Sequence, residues 1–463
     1  MDKETLSNYG WIVIAVLVLS VMIALATPFG TYVKAGVENA ATGLVETSNK
    51  GIDVALLSTG TPKPYVPIVR NGIIPDGATY TPNGGTAITG NGTNTFPDTP
   101  QTGDTYEEGD YMYKYNQYYN GSSWSTSTSQ NGWGVRVKDK TKTEYGDILS
   151  EIAGKPVTNM SGTFRNCTSL TTAPTIPSSV TNMEITFDSC KSLTTAPTIP
   201  NGVTNMRYTF RGCTSLTTAP SIPNRVTDMS GAFDSCTSLT TAPTIPNSVT
   251  NMSDTFSRCT SLTTAPPTIP NSVTNLTLTF KGCTSLTTAP AILNGVTSML
   301  RTFEGCTSLT TAPAIPNSVT NMTETFDSCT SLTTAPAIPS SVTYMCYTFS
   351  GCRSLTTAPA ISSGVTDMSY TFKGCTSLTT VPAIPSSVTN MESTFRDCIS
   401  LTTAPAIPNS VTSMEGTFYS CTSLTGTIEI NSNPTDYNYC LKKTQITEVT
   451  GSTTLKAEIL ATK

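Results

Sequence analysis

From Val157 onward the apolar positions of the chain recur every 23 residues. In the copy that opens at Val180 they fall at Val180, Met183, Phe187, Cys190, Leu193, Ala196 and Ile199. The set returns from Val203, Val226 and Val249 and continues to a last copy at Val411, with one extra proline at Pro266-Pro267. Spacings of three, four and three over Val180–Cys190 predict a helical segment with one apolar face. Ser192-Leu-Thr-Thr195 has the β-branched content of a short parallel strand. Pro197 and Pro200 end that strand, because proline offers no ladder donor. A single unit leaves its Leu, Phe and Cys face uncovered, whereas stacking buries it continuously. The expected fold is therefore an α/β repeat: a solenoid of about twelve 23-residue units, each a short parallel strand plus a short helix. Strands about 4.8 Å apart make the stack roughly 55–60 Å long.

Ahead of the repeats the pattern changes several times. Gly10 to Thr27 is an almost uninterrupted apolar run, at the lower limit of about 18 residues for a membrane-spanning helix. Ala24-Leu25-Ala26 fits a cleaved signal peptide, while the start Met1-Asp-Lys-Glu4 lacks a basic leader and fits a retained anchor. Both readings put the remainder outside the cytoplasm. Val33, Val37, Ala40, Ala41, Leu44 and Val45 then fall at helical spacing. They predict a juxtamembrane helix, or a stalk that packs into a filament. Residues 58–105, rich in Gly, Pro, Thr and Asn, read as a linker or loose turns. Tyr111, Tyr113 and Tyr115, followed by Asn120-Gly121 and Trp124, predict a β-hairpin unit turning at Asn-Gly. Its rings are expected to form a local core in contact with the stack, rather than a sugar-stacking patch. Glu144–Ile152 reads as an amphipathic helix that caps the first repeat.

Composition narrows the chemistry. The net charge is −5 and only 12% of residues are charged, so no basic field suits nucleic acid. The chain has no histidine, which removes the commonest general base and metal ligand together. Of 14 cysteines, twelve share one repeat position: Cys167, Cys190, Cys213, Cys236, Cys259, Cys283, Cys306, Cys329, Cys352, Cys375, Cys398 and Cys421. One column of small apolar side chains, with no CxxC pair, suits a tight inner core and free buried thiols. Cys346 and Cys440 lie off that column. No catalytic residue, metal site or cofactor follows from the sequence, and an enzyme is not expected.

Two outer columns remain. Two residues before each cysteine stand Arg165, Asp188, Arg211, Asp234, Ser257, Lys281, Glu304, Asp327, Ser350, Lys373, Arg396 and Tyr419. Partial alternation of sign suits a solvated ladder. The candidate ligand-facing column is Thr172, Thr195, Thr218, Thr241, Thr264, Thr288, Thr311, Thr334, Thr357, Thr380 and Thr403. Threonine arrays also occur in ice-binding solenoids, but adjacent threonines on a strand should point to opposite faces.

Ser179-Val-Thr-Asn-Met183, Phe187-Asp-Ser-Cys190, Ser192-Leu-Thr194 and Ile199-Pro200 together resemble the unit of BspA-like (Treponema-type) leucine-rich-repeat surface proteins. The likeness covers about 270 residues. It departs at Ala196-Pro197, which should shorten the strand, and in a helical segment one residue tighter. The resemblance implies a leucine-rich-repeat solenoid on a bacterial or protist surface, in a family implicated in adhesion, with no catalytic residue to carry over.

The expected organisation is a membrane anchor or signal segment at 1–28, an amphipathic helix at 29–57 and a linker at 58–105. A β unit with capping helix at 106–156, the solenoid at 157–423 and a C-terminal cap at 424–463 follow. The expected partners are the membrane, through residues 10–27, and an extracellular protein or glycan, with self-association open. A surface-displayed binding protein is the first functional expectation. A filament or surface-layer subunit built through the N-terminal helix is the second.

Overall fold

The computed structural model describes residues 67–126 and 131–463. The expected membrane segment, the amphipathic helix after it and the first residues of the expected linker lie outside the described residues.

The N-terminal part of the described chain is an eight-stranded sheet. Its strands are β1 (Val69–Arg70), β2 (Thr79–Thr81), β3 (Ile88–Thr89), β4 (Thr105–Glu108), β5 (Tyr111–Tyr115), β8 (Trp133–Val137), β9 (Glu151–Ile152) and β10 (Lys155–Asn159). They lie in the order β1-β9-β10-β8-β5-β4-β2-β3. The described part of the expected linker is thus folded into a sheet, because Tyr80 and Phe96 supply apolar anchors among the glycines and prolines. The hairpin at Asn120-Gly121 is present: β6 (Gln117–Tyr119) pairs with β7 (Trp124–Thr126), and Asn120 and Ser123 close the loop. Tyr111–Tyr115 is not part of it but pairs with β4 and β8. Tyr106, Tyr111, Tyr113, Tyr115 and Trp133 are all buried, so the rings are a core and not an exposed patch. The expected helix over Glu144–Ile152 does not form. That stretch is irregular and ends in β9, with Ile148 and Leu149 buried in the sheet core.

β10 is also the first edge of the solenoid, since Asn159 bridges Asn182 of the next rung in parallel. Two ladders then run up the stack. One passes through Asn182, Asn205, Asp228 and onward to Ser413 and Asp436. The other joins Thr172 to Thr195 and continues rung by rung to Thr334, resuming at Thr357 and Thr380. The strand at that second ladder is a single bridged residue, the short strand that Ala196-Pro197 imposes. Where the extra proline enters, Thr268–Ile269 (β11) pairs with Ala291–Ile292 (β12).

The short helix expected in every unit is absent, and this changes the fold class to a repeat of strand bridges and turns. Met183, Ile185, Phe187 and Ser189 donate their N–H groups to the carbonyls of Asn205, Arg207, Thr209 and Arg211 on the next rung, at 2.6–3.0 Å. Thr186, Asp188 and Cys190 donate to carbonyls three residues back. Ile185 and Ser189 have φ of 48° and 63°. One left-handed residue per four-residue turn rotates alternate N–H groups out of the chain's own axis and onto the neighbour. Successive turns of this kind put apolar side chains at three- and four-residue spacing, as a helix does.

Six side chains per rung fill the interior. The Val, Met, Phe, Cys and Leu columns are fully buried, and the Ile column nearly so. The phenylalanines stack at 5.2–5.7 Å from Phe164 to Phe418, near parallel throughout. A buried threonine beside every ring of the stack except Phe233, where Ala232 stands, ties two rungs together: Thr186 Oγ1 donates to Met183 O at 2.7 Å and reaches Met160 O at 2.9 Å.

Both ends are covered. Tyr145 and Tyr111 lie 5.3 and 6.3 Å from Phe164 and continue its column into the N-terminal sheet. At the other end β13 (Thr425–Glu429) pairs in parallel with β14 (Gln445–Thr450). Helix α1 (Lys456–Leu460) follows, with Ile459 buried. Among the described residues no helix is long and apolar enough to cross a membrane.

Candidate functional site

The cysteine column is wholly internal. All twelve thiols are free and buried, and from Cys190 onward each donates to the carbonyl of the phenylalanine one rung back, as in Cys283 Sγ to Phe256 O at 3.1 Å. Burial pushes these thiols up, Cys421 to about 12 and most of the others further. Burial that favours the protonated form makes these thiols weak nucleophiles. Off the column, Cys440 is buried against Thr462 and raised by burial to about 11. Cys346 is half-buried, 3.0 Å from Ser369 Oγ.

The charged column is less solvated than its sequence suggests. Asp188 is 1% exposed and lies between two guanidinium groups, Arg165 at 3.0 Å and Arg211 at 2.8 Å. Asp234 is 6% exposed and is held by Arg258 at 2.8 Å. Its carboxyl is raised because desolvation outweighs the guanidinium. The tight turns fold these short side chains back against the stack, so the first half of the ladder is a row of partly buried ion pairs. Glu304, Glu324 and Asp327 gather their carboxylates within 4.8 Å of one another. Lys281 reaches Glu304 at 3.1 Å and Arg301 reaches Glu324 at 2.8 Å, which offsets two of the three charges.

Every threonine of the candidate column, Thr172 through Thr403, is exposed. So is the threonine before it, contrary to the expected alternation, because the chain turns at the single bridged residue and never runs as a continued strand. The two hydroxyls differ. Thr240, Thr263, Thr310, Thr333 and Thr379 donate Oγ1 to the carbonyl one rung back at 3.2–3.4 Å. The hydroxyls of the candidate column have no partner among the described residues, leaving one regular row of hydroxyl groups there.

A third outer column escapes notice in the sequence because it is the most variable. It lies two residues after the core methionine and holds the left-handed residue: Gly162, Ile185, Tyr208, Gly231, Asp254, Leu278, Arg301 and Glu324, then Tyr347, Tyr370, Ser393, Gly416 and Tyr439. Reading down the repeat, rather than along the chain, is the signal that would have found it. Tyr347 and Tyr370 stack at 4.4 Å, 3° from parallel. The Tyr370 hydroxyl bonds to Glu392, which raises it to about 12. A cavity of about 340 Å³ opens beside Ser393 and Gly416. On the proline edge, two shallower depressions of about 370 and 310 Å³ run along the Ala-Pro-x-Ile loops near Pro197, Pro220 and Pro243.

The family model for the BspA type leucine rich repeat region matches in 6 copies, over residues 158–263, 253–370 and 346–458. A leucine-rich repeat protein from Bacteroides ovatus has a similar crystal structure, with 23% identity over 71% of this chain and 88% of its own, at a TM-score of 0.49. A leucine rich cell surface protein from Faecalibacterium prausnitzii matches with 25% identity over 69% and 93%, at a TM-score of 0.45. No curated protein matches the chain. The repeats reported by the family model span most of the described residues and coincide with the stacked rungs, and the chain belongs to the BspA-type leucine-rich-repeat family.

Proposed function

We propose that the chain is a non-enzymatic binding protein displayed at the cell surface, with the solenoid as its contact module. The observation that carries this reading is the division of labour within each rung. Thiols and apolar side chains face inward, while the threonines of the candidate column and the larger side chains of the variable left-handed column reach the surface. A rigid scaffold presenting variable side chains at fixed spacing suits recognition, whereas a reaction needs convergent groups of matched pKa. Membership of the BspA-type family and the apolar run at residues 10–27 support surface display. Assembly into a filament through the N-terminal segment rests on residues outside those described, and no observation on the solenoid favours it.

The test is binding of the purified full-length chain to surfaces coated with extracellular matrix or with mucin. Saturable binding that disappears on thermal unfolding is expected, and no saturable binding to either coating would overturn the reading. Protease added to intact cells should cleave the repeats. Full protection of the repeats, with cleavage restored on lysis, would overturn surface display.

A further inference from the structure

We propose that the cleft beside Ser393 and Gly416 is a binding site for a neutral oligosaccharide. This deepens the binding role proposed above and rests on it. The cleft arises from two missing rings in one column. In that column Tyr347 and Tyr370 stack at 4.4 Å, so side chains on adjacent rungs stand at ring-stacking distance. The next two rungs carry serine and glycine, and the column resumes with Tyr439, which is 54% exposed. All five residues share the same backbone turn, with φ between 49° and 58°. The gap is therefore made by side-chain size and not by a change of fold. Three rung steps of about 4.8 Å separate Tyr370 from Tyr439. The cavity between them, about 340 Å³, lies within the usual range for small-ligand sites.

The lining chemistry selects the ligand. Glu392 and Glu415 occupy equivalent positions on successive rungs, and Arg396 and Lys442 also line the cleft. Two carboxylates against two cations leave no net charge to attract an ion. Carboxylates accept from hydroxyl groups, and a guanidinium donates to hydroxyl or ring oxygens. Tyrosine rings stack on the apolar C–H side of a pyranose; Lys442 lies 4.8 Å over the Tyr439 ring, so a sugar would stack there by displacing that side chain or on the opposite face. Tyr370 is held by its bond to Glu392, and Arg396 lies 4.6 Å over the Tyr419 ring. Tyr370, Glu392 and Arg396 are thus held before a ligand arrives, which lowers the ordering cost of binding. A peptide would call for an apolar anchor pocket or an open strand edge, and the cleft has neither among its lining residues.

The experiment titrates the full-length chain with four neutral trisaccharides, maltotriose, cellotriose, mannotriose and tri-N-acetylchitotriose, by calorimetry and saturation-transfer NMR. At least one is expected to bind with a Kd of about 1 mM or tighter. Ser393→Tyr should weaken that binding at least about tenfold, because it restores a ring to the vacant place. The variant should keep its melting temperature, since tyrosine already occupies the same left-handed position on three of the neighbouring rungs. Tyr439→Ala should also weaken binding while leaving stability unchanged. Absence of binding by all four sugars overturns the proposal, as does unchanged affinity in Ser393→Tyr. If the chain still binds a matrix or mucin coating in either case, the cleft assignment fails while the broader binding role stands.

Discussion

At the scale of single residues the most consequential group is the buried thiol. Burial raises each of these thiols in the folded chain, because a thiolate there would lose its hydration. An unfolded cysteine titrates near 9 and the folded one well above that. The unfolded state therefore sheds protons first as pH rises, so stability is complete below about pH 9 and is lost above it. Each thiol withdraws about 1.4 kcal/mol per pH unit in that window, and twelve act together. The melting temperature is expected to hold up to about pH 8.5 and then fall steeply, with a shallower fall in a Cys283→Ala, Cys306→Ala double variant. Equal slopes in the two proteins would refute the assignment. With a thiol reagent at pH 8, no column cysteine should react before unfolding, and all 14 cysteines should react after it. The inner role of this column was legible from the 23-residue period alone. The burial of Asp188 was not, because its two arginine partners lie 23 residues away on either side and only the folded turn brings them together.

At the scale of the element, the rung is a set of tight turns whose hydrogen bonds go to the neighbour. The apolar spacing was read correctly and its cause was not, since three- and four-residue intervals fit both a helix and successive turns. The distinguishing feature is backbone handedness at Ile185 and Ser189, where no glycine marks it. The ion pairs belong to this scale as well. Arg211 donates two hydrogen bonds to Asp188, at 2.9 and 2.8 Å, and Arg165 donates a third at 3.0 Å. Replacing both arginines by methionine leaves a buried carboxylate without a cation and should cost about 3–5 kcal/mol in denaturant unfolding. Adding Asp188→Ala should recover much of that loss. If the double variant lost no stability, the carboxylate would have to be solvated.

At the scale of the whole molecule, the stack depends on what covers its two ends. The N-terminal cap is a sheet whose rings continue the phenylalanine column, where a helix was expected from the spacing of Ile148, Leu149 and Ile152. Those residues are buried as anticipated, but against strands. At the C-terminal end Ile459 of α1 and Thr462 close over Cys440 and Leu441. Ending the chain at residue 451 should therefore expose Cys440, giving one newly reactive thiol while the column cysteines stay protected. An unreactive Cys440 in that variant would show that the cap is not what shields it.

The rungs are nearly interchangeable, and the vacant place in the tyrosine column lies at Ser393 and Gly416, close to the last of them. A gain or loss of whole 23-residue units upstream would leave every interior contact in kind. Such a change would move the cleft nearer to or farther from the N-terminal sheet by about 4.8 Å per unit. Copy number then sets reach: the same fold and the same cleft can be held at different distances from the N-terminal sheet simply by changing how many middle rungs the chain carries.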